Sequence, residues 1–350
     1  MKRVFAITTV ILSLAGVVLA GGSKPASAAS PTPGASSKSA GPPPQKFIFN
    51  ECTFQSMYTS PWVKFYLNKI TENSGGKMTF DIYWAESLGY KNAAYLQVSR
   101  DGLAPFSDTM TSFVASDLAE LQIGENPMLA PMPHEFEKVR QKIEPLLRKV
   151  LDEKWKSTLL ANYPMAPQAL WTKKPVRSLK DLKGLKVRVL SGPTAEWATA
   201  LGMVPVTVPF PEVYTALSRG TIDAVITSSS GVWTQKFYEV VKYQPVAGVV
   251  TYLWFNMANK DVWNKLDPVY RKAVNDAQKP ALDFVLKDLA TGYQSDMENL
   301  KKVGADFTLL PQADIDEMTR LAKPIWEKWS NNNGPVAKQA MDAARQAVGK

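Results

Sequence analysis

Between Leu185 and Tyr243 the chain repeats one unit, a short apolar strand followed by a helix. Leu185–Leu190 reads as a strand, Pro193–Leu201 as a helix stopped by Gly202, and Val204–Val208 as a second strand. Pro211–Arg219 follows as a helix with proline in its first turn and Gly220 at its end. Thr221–Thr227 is a third strand, and Ser228 opens another helix. Strands and helices that alternate this closely point to a mostly parallel sheet with helices on its faces. Two of these strands carry Arg188–Ser191 and Thr227–Ser230 at their C-terminal ends. In an open α/β sheet, that edge is where ligands bind.

The same grammar opens the folded part of the chain. Phe47–Phe49 starts a strand, and Ser60-Pro61-Trp62 starts a helix with Trp62, Phe65, Tyr66 and Ile70 on one stripe. Met78–Trp84 alternates as a strand, Lys91–Arg100 reads as a helix and Leu103–Ser107 as a strand. After the prolines at 127, 131 and 133, Glu135–Leu160 reads as helix and Gln168–Thr172 as strand. A strand runs from beyond Val249 through Met257, and a helical pattern from Asp267 to Val303 is interrupted at Pro280. Ala305–Leu310 reads as a late strand, followed by two helices. A chain of 350 residues has room for two cores, and a helix this long suits two domains.

Lys2 and Arg3 precede an apolar run from Val4 to Ala20, the layout of a secretion signal over residues 1–20. Cleavage is expected before Gly21, with Ala26-Ser27-Ala28 as a second option and a retained anchor as the alternative. Leu19-Ala20-Gly21-Gly22 resembles a lipoprotein signal with Gly22 in place of the cysteine, so no lipid anchor is expected. Residues 21–45, rich in Pro, Ser, Gly and Ala, read as a disordered leader to an exported, periplasmic domain.

Five of the nine excess positive charges lie in the first 50 residues, which hold no acid, and no Lys/Arg stripe follows them. Nucleic acid is therefore not an expected partner. Cys52 is the only cysteine, so an intrachain disulfide is impossible, and its ordinary role is that of a small buried hydrophobe. The only histidine, His134, lies between Pro133 and Glu135 with no second histidine at helical spacing. A Ser/His/Asp triad or a histidine-assisted metal site would have to use it. Ser228-Ser229-Ser230-Gly231 is not a nucleophile elbow, and no phosphate loop is present. Neither catalysis, nor a cofactor, nor a metal ion is expected.

The spacing of Leu179-Lys180-Asp181-Leu182-Lys183-Gly184, Leu185-Lys186-Val187-Arg188-Val189, Val208-Pro209-Phe210-Pro211-Glu212-Val213-Tyr214, Gly220-Thr221-Ile222-Asp223-Ala224 and Lys236-Phe237-Tyr238-Glu239-Val240 resembles one family closely. It is that of the DctP-like solute receptors of tripartite ATP-independent periplasmic (TRAP) transporters. Gly75-Gly76-Lys77 and Ser87-Leu88-Gly89 add weaker similarity. The resemblance implies a two-domain, periplasmic-binding-protein-like clamp, each domain a mixed, mostly parallel sheet flanked by helices, with a long shared helix. Domain I would take residues 46–165 plus 253–292, and domain II 166–252 plus 293–350. The protein would be a monomer that binds a small organic acid and delivers it to TRAP permease membrane subunits. A receptor that presents its ligand to a sensor or to an ABC importer is the alternative, and an exported hydrolase a more distant one.

By the same resemblance, Arg188 pairs with the ligand carboxylate. A planar guanidinium matches two carboxylate oxygens, and a closed cleft strengthens the pair. Ser191 and Phe210 stand at positions that touch ligand, Thr227 stands where the family has asparagine, and Gln168 where some members have a second arginine. These departures remove positive charge and donors, which favours one carboxylate on a neutral or aromatic body. Tyr58, Trp84, Trp171 and Trp233 are the aromatic candidates for that body, with Phe54 and Trp254 near the same cleft. Glu51 aligns loosely with a polar ligand contact.

Overall fold

The computed structural model describes residues 41–350; the expected signal and most of the leader lie outside the described residues. Ten strands form two five-stranded sheets of the same topology. The first contains β1 (Gln45–Glu51), β2 (Met78–Trp84), β3 (Phe106–Met110), β4 (Ser157–Pro164) and β10 (Leu253–Asn259), in the order β2-β1-β3-β10-β4. The second contains β5 (Gln168–Thr172), β6 (Lys186–Arg188), β7 (Val204–Val206), β8 (Ala224–Thr227) and β9 (Tyr243–Val250), in the order β7-β6-β8-β5-β9.

In each sheet, one strand of the five runs against the rest. β10 is antiparallel to both β3 and β4, and β5 to both β8 and β9. Each reversed strand is the one the chain enters on crossing between sheets, β4 to β5 and then β9 to β10. The two crossovers touch, because Met165 N–H donates to the Tyr252 carbonyl at 3.0 Å. The lobes therefore meet along two adjacent strand links.

Helix α8 (Pro268–Lys302) provides the third connection. It packs on α1 (Ser60–Asn73) and β4 of the first lobe and on α6 (Ser229–Thr234) of the second. Pro280 does not interrupt it. The missing N–H removes one helical bond, while Ala277, Ala281 and Val285 on its buried stripe keep the packed face continuous. The last two helices divide: α9 (Gln312–Asn332) packs on α4 (Gly192–Ala200) of the second lobe. By contrast α10 (Gly334–Val348) lies against α3 (Pro133–Trp155) of the first.

Three further sequence expectations fail. The helix read over Glu135–Leu160 ends at Trp155, where Lys156 turns left-handed (φ 43°), and Ser157–Pro164 is strand β4. β4 sits at the sheet's edge yet its residues are nearly all buried, so it shows no alternation to separate it from a helix. The single strand read from beyond Val249 to Met257 is two strands broken at Thr251-Tyr252, where the chain changes sheets. Ala305–Leu310 makes only a bridge between Asp306 and Tyr243, because the Thr308 N–H that would donate the next rung to Gln244 is taken by Asp306 Oδ1 at 2.8 Å.

Candidate functional site

A cavity of about 550 Å³ lies between the lobes, under the C-terminal ends of β6 and β8. Arg188, the last residue of β6, forms part of its wall and is 2% exposed. Among the described residues its guanidinium makes one protein hydrogen bond, Nε donating to the Val208 carbonyl at 3.1 Å, and no ion pair. The group also lies over the Phe210 ring at 5.7 Å. Burial pulls its pKa below the ordinary arginine value, and the nearby Tyr252 hydroxyl opposes that. A buried cation with two terminal nitrogens unbonded is incomplete without an anion.

Gln168, at the start of β5, donates its side-chain N–H to the Ala166 carbonyl at 2.7 Å, which leaves its own carbonyl oxygen as the free end. Thr227 closes β8 on the same wall, and Ser228 caps α6 by accepting from Gly231 N–H at 3.1 Å. The packing at Gly231 is tight: a Cβ there would stand 3.0 Å from Thr227 Oγ1 and 3.3 Å from Ser228 Oγ. From the first lobe, Tyr58 brings a buried hydroxyl without a hydrogen-bond partner close to Ser228 and the Ala166 backbone. Cys52, Phe54, Met57, Met110, Phe113 and Leu190 make the remaining wall largely apolar.

Behind that wall, Glu51 and Asp108 lie fully buried with the Cys52 thiol, their ligand atoms within 4.8 Å of one another. Each already serves the turn that follows β1. Thr53 donates its N–H and hydroxyl to Glu51 at 2.9 and 2.8 Å, and Cys52 N–H donates to Asp108 Oδ1 at 2.8 Å. Burial raises both carboxyls, Asp108 to about 8, and repulsion from Asp108 raises Glu51 further; burial also raises the thiol, which stays protonated. The arrangement positions Cys52–Tyr58 against the cavity.

A second cavity of about 540 Å³ is lined by Met128, Pro245–Gly248 and α9. Two of its three cations are engaged, Lys350 donating to the Met128 and Leu129 carbonyls and Arg320 pairing with Glu317, and the third, Lys323, is exposed. The interlobe cavity is the one with an unsatisfied buried charge.

The sequence profile of the bacterial extracellular solute-binding proteins, family 7 (DctP), matches residues 58–332. The chain belongs to this family. It is a TRAP-type solute-binding protein, and its relatives are receptors rather than enzymes. The ectoine/5-hydroxyectoine-binding periplasmic protein UehA of Ruegeria pomeroyi is 28% identical over 201 residues, 56% of this chain and 59% of that protein. The ectoine-binding periplasmic protein TeaA of Halomonas elongata is 24% identical over 75% of this chain and 79% of its own. Among solved structures, the Bordetella pertussis receptor DctP7, which binds pyroglutamic acid, superposes with a TM-score of 0.78 at 26% identity, covering 86% of this chain and 99% of that one.

Of the residues singled out from sequence, Arg188, Gln168, Thr227, Phe210, Tyr58 and Phe54 surround this receptor's cavity; Ser191, Trp171, Trp233 and Trp84 do not. Ser191 caps α4, its hydroxyl 3.0 Å from Thr194 Oγ1. Trp171 stands three residues after Gln168 on a strand, so it faces the opposite side, into a core where it meets Phe307 edge-on. Trp233 lies two residues beyond Gly231, on another side of α6, and stacks on Tyr238 at 5.2 Å. Trp84, on edge strand β2, carries the Lys64 ammonium 5.6 Å over its ring. Trp254 is buried in the first lobe's core.

Sequence reasoning missed Tyr252 and Met165, which line the cavity from the two crossovers. Such links carry no periodicity, and the only available signal was the junction between strands. The Tyr252 hydroxyl makes no hydrogen bond among the described residues and sits beside Arg188. His134 opens α3 and is not part of the cavity.

Proposed function

We propose that this receptor binds a small monocarboxylate with an uncharged, largely apolar or aromatic body and hands it to the TRAP permease. The observation that carries this reading is Arg188: a buried guanidinium with one hydrogen bond, no counter-ion and two nitrogens free beside a cavity. A carboxylate supplies both missing acceptors in the plane of the fork. Among the described residues Arg188 is the only arginine or lysine along that cavity, so a second carboxylate would have no such partner there. The free Gln168 carbonyl suits an N–H on the ligand, and Tyr58, Tyr252 and Thr227 offer hydroxyls. A ring such as that of pyroglutamate, the ligand of the Bordetella relative, meets these requirements, and a cavity of about 550 Å³ has room for a larger aromatic acid.

A thermal-shift screen of pyroglutamate, ectoine, aromatic monocarboxylates, dicarboxylates and neutral sugars tests the reading, since bound ligand stabilises the folded state. Monocarboxylates are expected to raise the melting temperature of the wild type and to leave Arg188→Ala unmoved. Stabilisation by neutral sugars alone, or hits that persist in the variant, would overturn it.

A further inference from the structure

A second unpaired buried charge lies where the lobes join. Glu125 ends a short 3-10 turn, Ile123–Glu125, and is fully buried, with no hydrogen bond to either carboxyl oxygen. The hydroxyls beside it come from both lobes. Thr111 follows β3 of the first, and Ser191 caps α4 of the second; both lie close to the carboxyl without reaching good hydrogen-bond geometry.

The turn is clamped to the second crossover, where Thr251 N–H donates to the Gly124 carbonyl at 3.2 Å and Thr251 Oγ1 to Pro131 at 2.6 Å. Gly124 sits so close that a Cβ would stand 2.0 Å from the Thr251 carbonyl oxygen. The next residue, Tyr252, feels Glu125 on one side and Arg188 on the other. Thus the charged or titratable neighbours of Glu125 are Tyr252 and, beyond it, Arg188. Among the described residues no Lys, Arg or His pairs with it.

We propose that Glu125 is a proton-linked positioning residue: neutral, it lets the lobes meet behind Arg188, and ionised, it loosens that seam and weakens the anion site. An anion held between two hydroxyls in a dry joint must draw in water or part its walls. It also adds negative charge to the region that receives the ligand's carboxylate. Both effects act in one direction. Burial raises this carboxyl to about 8, so the switch falls just above neutrality. By reciprocity, ligand binding favours the neutral form and draws in a proton.

The inference rests on carboxylate binding at Arg188, and the test has an arm that does not. With L-pyroglutamate as the probe, calorimetry on the full chain should show affinity falling about tenfold between pH 7 and pH 9, the loss expected when only the protonated form is competent. At pH 8, where about half of the free protein already carries the proton, binding should take up about half a proton per ligand, read from two buffers of different ionisation enthalpy. Glu125→Gln should flatten the pH profile and abolish the uptake. A wild-type profile that is flat, or unchanged in E125Q while Arg188→Ala still abolishes binding, would overturn the inference and leave the anchor standing.

Should no carboxylate bind, small-angle scattering of the ligand-free protein decides the matter. The wild type should expand between pH 6.5 and 9.5 and E125Q should not; identical responses would overturn the proposal.

Discussion

Replacing Arg188 by methionine should abolish ligand binding and, at the same time, make the ligand-free protein more stable. The guanidinium is 2% exposed, pairs with no acid, and is held by one hydrogen bond and by the Phe210 ring. Desolvating an unpaired ion costs several kcal/mol even after relaxation. Against this, a charge-assisted hydrogen bond returns ~2 kcal/mol and a desolvated cation–π contact ~1–2 kcal/mol. Methionine fills similar space without the penalty, so the net change should be a gain of about 1–2 kcal/mol. In a chain of this size that is a rise of ~3–5 °C in melting temperature. Urea denaturation of ligand-free wild type and R188M at one pH measures it, and calorimetry with the strongest acid from the screen measures binding. Destabilisation of R188M by more than about 1 kcal/mol would mean that the protein satisfies this charge, and would remove the physical reason for treating it as an empty anion site.

Three further outcomes follow from the packing. Gly124→Ala should destabilise the protein by about 3 kcal/mol or more, because its Cβ would meet the Thr251 carbonyl oxygen at 2.0 Å and the Phe136 ring at 2.8 Å; a wild-type urea midpoint would refute this. Trp171→Phe should leave ligand affinity unchanged, since Trp171 is buried in the second lobe's core with its indole N–H unpartnered; calorimetry showing more than about a threefold loss, roughly 0.7 kcal/mol, would return it to the site. Asp108 sits in the folded protein with its carboxyl raised to about 8, so its contribution is fully present below pH ~4 and is lost as pH rises to 8. Melting temperature should therefore fall between pH 6 and 9 in the wild type and fall less in Asp108→Asn, one proton contributing about 1.4 kcal/mol per pH unit.

The strand–helix repeat from Leu185 to Thr227 was legible because each element is short, alternates cleanly and ends at a glycine or proline. Arg188 and Thr227 could be placed for the same reason, since strand ends in such a sheet converge on one edge, whereas Phe210 was placed by the family resemblance. What the pattern could not convey was which strand belongs to which sheet. Hydrophobic periodicity reports burial and says nothing about partners, so the exchange of β5 and β10 between lobes left no mark on it. Tyr252 and Met165 were invisible for that reason: they matter because the chain crosses there. Three of the aromatic candidates lie away from the cavity for another reason. Trp171, Trp233 and Trp84 were chosen for chemistry near the right strands, while side-chain direction, which turns over at every residue of a strand, sends Trp171 to the opposite face from Gln168. Glu125 lies in a turn just before Pro127 with no motif to single it out, and only the fold brings residues of both lobes beside it.

The central claim is that a ligand carboxylate completes the coordination of Arg188. A crystal structure of the receptor with the strongest acid from the screen tests it most directly. Two carboxylate oxygens should face the terminal nitrogens of Arg188 at ~2.8 Å, with the ligand body against Phe210 and the apolar wall. A ligand whose carboxylate lies elsewhere in the cavity, with the guanidinium still unpaired, would contradict it.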